Sequence, residues 1–209
     1  MMDLTQKQWV GHVIFHPFEG FEDLRWKKGG TLKYTAVILI ALFFALIAYD
    51  RWCGFQFRPL PDALFSVTPY LMKSLVYFGT WCVGNWAVCT LLDGEGTLRN
   101  ITIYSSYALI PYILSTFVNV VLSHILIQEE AVFFHLVYYL GLLWSALLLF
   151  QAIKAVHQYS FPKTLAAIAL TLAAMLIILF LAVLFLSLFQ KVYVFFYSLY
   201  TEILYRIRT

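Results

Sequence analysis

The sequence predicts an all-α fold: a polytopic integral membrane protein built as a five-helix transmembrane bundle, with an N-terminal interfacial helix and a C-terminal amphipathic helix. Three observations predict it. Charged residues make up only 12% of the 209 and hydrophobic ones 62%, whereas a soluble domain carries about a quarter charged. The mean hydropathy of +0.81 over the whole chain points to lipid as its solvent. Five long runs contain no Asp, Glu, Lys or Arg, and a spanning helix needs about 20 apolar residues.

Residues 1–33 form a cytoplasmic N-terminal segment, 34–190 the five-span domain and 191–209 an amphipathic aromatic tail. In the first segment, HPFEGFEDLRWKKGG (16–30) reads as a short helix. Pro17 suits its first position, where a missing N–H costs nothing. Glu19, Glu22 and Asp23 come early and Arg25, Lys27 and Lys28 late, matching the helix dipole. Gly29 and Gly30 stop it. Its large apolar residues suit either an interfacial helix or a cap folded onto the bundle. No signal-peptide pattern opens the chain, so insertion by an uncleaved first span is expected.

The spans follow in order. Tyr34 to Tyr49 is the shortest and relies on Lys33 and Arg51 snorkelling to the interfaces. Ser74 to Leu92 is the second. Asn100 to Gln128 is the third, with a kink expected at Pro111. Ala131 to Ile153 is the fourth and Thr164 to Gln190 the fifth. A helix continuing from Thr164 to the end would be about 65 Å long, so the tail should turn along the interface. Its polar stripe is Lys191, Ser198, Glu202 and Arg206. Lys and Arg residues gather before the first span and at Arg99, Lys154 and Lys163, which puts the N-terminus in the cytoplasm and the C-terminus outside.

Net charge is only +3, which gives no reason to expect nucleic acid and makes the bilayer the expected anionic neighbour. Cys53, Cys82 and Cys89 build no disulfide framework and read as packing residues. Between spans two and three, DGEGTLRN reads as a polar turn. Gly94 and Gly96 would allow positive φ, and Thr97 would cap the next helix. A phosphate loop is excluded, since no strand precedes it and Asp93 and Glu95 would repel phosphate. Asp93 and Glu95 with His16 and His157 are a minor candidate metal set. His124, Glu129, Glu130 and His135 suit a polar hairpin tip better than a metal site. His157 and Ser160 lack the third partner and nucleophile elbow of a hydrolase. Asn85 and Asn119 are expected to hydrogen-bond between helices. No charge lies within the spans, which counts against ion-coupled pumping and intramembrane aspartyl chemistry.

GEGTLRNITIYSSYALIPYIL resembles the signature of the Yip domain family, five-span membrane proteins whose eukaryotic members were named for interaction with Ypt/Rab GTPases. The matching positions are Gly94, Gly96, Thr97, Tyr107 and Pro111. HPFEGFEDLRW is similar to the family's segment before its first span, carried here by Pro17 and Phe18. The short N-terminal segment looks like the bacterial type, which implies a bacterial cytoplasmic membrane and counts against a Rab-type GTPase as partner. The resemblance implies a non-enzymatic adaptor or organiser of trafficking or of a membrane complex, without a cofactor. Its partner would be another membrane protein or a second copy. The expected partner surface comprises Glu19, Asp93, Glu95, Arg99, His157 and Lys163. A passive channel, scramblase or transporter subunit is the alternative, and a metal-dependent membrane enzyme the third reading.

Overall fold

A computed structural model describes residues 6–27, 29–58 and 65–208. Lys28, counted above in the basic cluster, lies outside the described residues, as do the first residues of the N-terminal segment and Thr209. The described chain is helical, with no strand: α1 (Gln6–Phe15), α2 (Pro17–Trp26), α3 (Leu32–Trp52), α4 (Thr68–Leu71), α5 (Tyr77–Leu91), α6 (Leu98–Ala108), α7 (Ile110–Leu122), α8 (Ala131–His157) and α9 (Phe161–Arg208). A π turn, Met72–Val76, joins α4 to α5, so one continuous helix runs over residues 68–91.

Among the described residues, four helices are long and apolar enough to cross a membrane: Leu32–Trp52, Leu98–Leu122, Gln128–His157 and Phe161–Ile203. The second expected span, Ser74 to Leu92, lies on the helix over 68–91 but for its last residue and is not among them. Asn85, Thr80 and two glycines dilute its apolar character. It still lies within the bundle, where Trp81 Nε1 donates to Ser105 Oγ of α6 at 3.0 Å.

Polar contacts fix the helix directions. Thr35 and Ser106 share a hydrogen bond at one end of α3, and the Gly54 N–H donates to Ser123 Oγ at the other. The α3 and α6–α7 helices therefore run parallel. The α8 helix runs antiparallel to them, with its Ser145 beside Tyr112 and its His157 beside Gly96.

Pro111 breaks the third span as expected, with α6 ending at Ala108 and α7 starting at Ile110. The neighbouring helix absorbs the break, because the Tyr112 N–H donates to Ser145 Oγ at 2.9 Å. That is how proline becomes tolerable in lipid: a side chain across the interface takes up a freed backbone group. Gly141 lets α8 come close there, since a Cβ would strike Ser115.

Two expectations about the termini need correction. The tail does not turn: α9 is unbroken for 48 residues, about 72 Å by its rise. No Gly or Pro follows Pro162, so nothing in the sequence stops the helix. From Phe180 onward every described side chain is exposed. At the other end, α1 is an additional helix that pairs with α2 as a hairpin, and Gly20 sits against the Val13 backbone. The inner face of α2 is fully packed, with Phe21 and Leu24 at 0% exposure, whereas Phe15 and Phe18 remain exposed. The cap reading holds for the inner face. The hairpin tip also reaches well up the bundle, because Trp144 Nε1 donates to the Ile14 carbonyl at 3.2 Å. Trp144 lies roughly 20 Å along α8 from His157.

Candidate functional site

The end of the bundle where α3 and α6 begin brings three of the sequence-flagged segments together: the end of α2, the turn before α6, and the turn between α8 and α9. Arg25 of α2 ties them. Its Nη1 donates to the carbonyls of Ala155 (2.8 Å) and Val156 (2.9 Å), which the C-terminus of α8 leaves unpaired. A guanidinium there also meets the negative end of the α8 dipole. Its Nη2 forms an ion pair with Glu95.

Beneath the turn lies a directional chain of buried hydrogen bonds. The Gly96 N–H donates to His157 Nδ1 (3.3 Å), and His157 Nε2 then donates to Asn85 Oδ1 (3.1 Å). Asn85 Nδ2 donates to Thr171 Oγ1 (3.1 Å), which donates to the Ala167 carbonyl (2.7 Å). Each donor has one acceptor, which fixes His157 as the neutral Nε2–H tautomer. Asn85 thus bonds between helices as expected, joining α5, α8 and α9.

The glycines play a different part from the one expected. Neither Gly94 nor Gly96 takes a positive φ; Asp93 does, at 55°. A Cβ on Gly94 would strike the His157 ring and come within 2.6 Å of Tyr159 Oη, and one on Gly96 would strike Val156. These glycines are small so that His157 and Tyr159 can lie against the backbone. Thr97 caps α6 as expected, its side chain accepting from the Asn100 N–H at 3.3 Å.

Tyr159 escaped the sequence reading. Its hydroxyl bonds the Cys89 and Leu92 carbonyls at 3.1 Å each, and burial pushes its pKa up. Lys163 Nζ stands 4.4 Å from its ring centre. Thr171 was also missed, although a hydroxyl within a run of small residues is a recognisable partner for an amide.

The other flagged residues separate. His16 lies near His12 with its ring tilted to it, the ring centres 5.3 Å apart. Glu19 is exposed on α2, about 9 Å before Arg25 by helical rise. The set His16, Asp93, Glu95 and His157 does not assemble, and no group of three metal-ligating side chains forms among the described residues. Both His157 nitrogens are engaged within the fold. Tyr107 is fully buried in the core, and Pro17 is the buried first residue of α2. Asn119 is fully buried with neither amide atom bonded, contrary to the expected interhelical bond. The three cysteines are free and buried. Asp23 is clamped by His12 (3.1 Å) and Lys27 (3.2 Å); partial burial works to raise its pKa, but the two hydrogen bonds outweigh this and hold it low.

The Yip1 domain family model matches residues 11–199. The chain belongs to the Yip1 domain family. That match begins within α1 and takes in the glycine turn, the capped helix and the proline break. With four helices able to cross a bilayer, the chain is an integral membrane protein of this family. No curated protein and no solved structure matches it.

Proposed function

We propose that this Yip1-family protein is a non-enzymatic adaptor or organiser that holds another membrane protein, or a second copy of itself, against the end of the bundle built around Arg25. The observation that carries this reading is the junction itself. Its interior polar groups are paired with one another, so it offers no free nucleophile or ligand set, while Asp93 and Glu95 stand exposed on top. Lys163 flanks them. A rigid, internally satisfied base with exposed charges is suited to recognition rather than turnover.

In this reading the helix over 68–91 also crosses the membrane, giving five spans with the N-terminus in the cytoplasm of a bacterial cell. Its length of about 36 Å suffices.

A photo-crosslinking amino acid at Asp93, activated in native membranes, tests the role. A discrete adduct, lost when the probe is moved to Glu129 at the opposite end, supports an organiser. Absence of any adduct, together with solute or lipid flux by the purified protein in liposomes, selects the channel or scramblase reading.

A further inference from the structure

Beside the junction, a cleft of ≈ 690 Å³ opens between the end of α2 and the first turns of α6. That volume lies within the range of about 300–1,000 Å³ found for small-molecule sites. Two guanidiniums line it, Arg25 and Arg99, with Thr97 and Asn100 adding polar groups and Trp26 and Tyr104 adding aromatic wall. Arg25 is neutralised by Glu95. Arg99 is exposed and has no ion pair among the described residues, so the cleft carries a net positive charge. Arg99 also occupies the first turn of α6, which has no acidic residue, and there the helix dipole disfavours a cation. An anion on Arg99 removes that penalty and balances the charge of the cleft, and a guanidinium fork matches the oxygens of a phosphate.

We infer that this cleft binds a phosphate ester, the chemistry shared by an anionic phospholipid headgroup and a soluble phosphate. Its position favours the lipid as source. The cleft sits where the membrane-crossing helices α3 and α6 start, at headgroup level, and Trp26 is 73% exposed beside it, as an interfacial tryptophan is. The site stands whether or not the Asp93–Glu95 surface holds a protein partner.

The test uses the full chain in mild detergent with equal amounts of phosphatidylglycerol and phosphatidylcholine, read by native mass spectrometry. The expected result is one phosphatidylglycerol retained about tenfold over phosphatidylcholine, a preference that Arg99→Glu abolishes and Arg99→Gln weakens. Glu129→Lys, at the other end of the bundle, leaves it unchanged. Circular dichroism and thermal transitions close to those of the parent show that the variants fold. Millimolar inorganic phosphate supplies the second arm. A thermal shift with phosphate that Arg99→Glu removes, without any lipid preference, assigns the same site to a soluble ester. Equal retention of both lipids with no phosphate shift overturns the site, as does a preference that Arg99→Glu leaves intact.

Discussion

At the scale of single residues, the glycine turn shows how a correct motif can carry an incorrect mechanism. Gly94 and Gly96 stand out in the sequence, and conformational freedom is the default explanation for two glycines in a turn. The structure puts the left-handed residue one position earlier, at Asp93, and uses the glycines as floor space for His157 and Tyr159. Only the distant packing of the α8–α9 turn reveals this, and no local pattern records it. The packing account makes its own mutational predictions. Asp93→Gly should be tolerated within about 1 kcal/mol, since it removes a left-handed non-glycine residue. Gly96→Ala should cost about 1–3 kcal/mol, because overpacking moves Val156 and His157. Midpoints of denaturation in detergent, measured for both variants, check the pair; a Gly96→Ala variant as stable as the parent would overturn the packing account. The buried chain gives a second prediction. Asn85→Leu leaves His157 Nε2–H and Thr171 without their amide partner, and should destabilise by roughly 1–3 kcal/mol. Asn119→Leu should be nearly neutral or stabilising, because its amide is already unbonded. The same denaturation measurement separates them, and similar losses for both variants would show that Asn119 has partners in the membrane.

At the scale of elements, legibility follows the reach of the signal. The α2 helix was readable to its first residue because Pro17, the acidic start and Gly29 are local cues. The Pro111 break was equally local, but Ser145, which makes it tolerable, comes from another helix and could not be assigned from spacing. The tail failed for the reverse reason. Bilayer thickness argued for a turn, yet the chain supplies no Gly or Pro to make one, and α9 runs on. The α1 helix had a readable cue in Trp9 with Val13 and Val10 with Ile14, pairs four apart on one face. Its placement was not readable, because the Trp144 bond to Ile14 depends on the assembled bundle. That bond sets the depth of the hairpin tip. If α8 crosses along its length, exposed Phe18 stands well inside the bilayer while Trp26 stays at its edge. With a pyrene maleimide on Phe18→Cys, the three native cysteines being buried, brominated lipids should quench the label most strongly when bromine sits deep in the acyl chain. Strongest quenching by bromine near the headgroup would return the hairpin to the interface. The hairpin is also pH-sensitive. The low Asp23 pKa contributes stability that is complete above the unfolded value of about 4 and fades as pH falls through the folded value. Because Asp23 is partly exposed, the loss should stay below about 1 kcal/mol. Protection of the α1 amides, after correction for the intrinsic pH dependence of exchange, should therefore drop only slightly in strong acid and be no lower at pH 5 than at pH 7.

For the whole molecule, the number of crossings decides which surfaces a partner can reach, and the helix over 68–91 decides that number. It is less apolar than its neighbours, yet its polar groups are spent inside the bundle: Trp81 on Ser105, Asn85 on His157 and Thr171, Ser74 on the Tyr70 carbonyl. Hydropathy counts those groups as a cost of entering lipid, whereas hydrogen bonds within the fold remove most of it. A helix can then cross while scoring as marginal. The consequence is checkable, because the three native cysteines are buried and contribute little background labelling. Ser66→Cys and Glu95→Cys flank the helix, and both positions are exposed. In sealed, oriented vesicles a membrane-impermeant maleimide should label one and spare the other, with the pattern exchanged in vesicles of opposite orientation. Glu129→Cys should follow Ser66→Cys, since α6–α7 carries the chain back across. Labelling of Ser66→Cys and Glu95→Cys from one side would leave four crossings, return the C-terminus to the side of the N-terminus, and part Glu95 from Arg25 across the bilayer, which would overturn the junction itself.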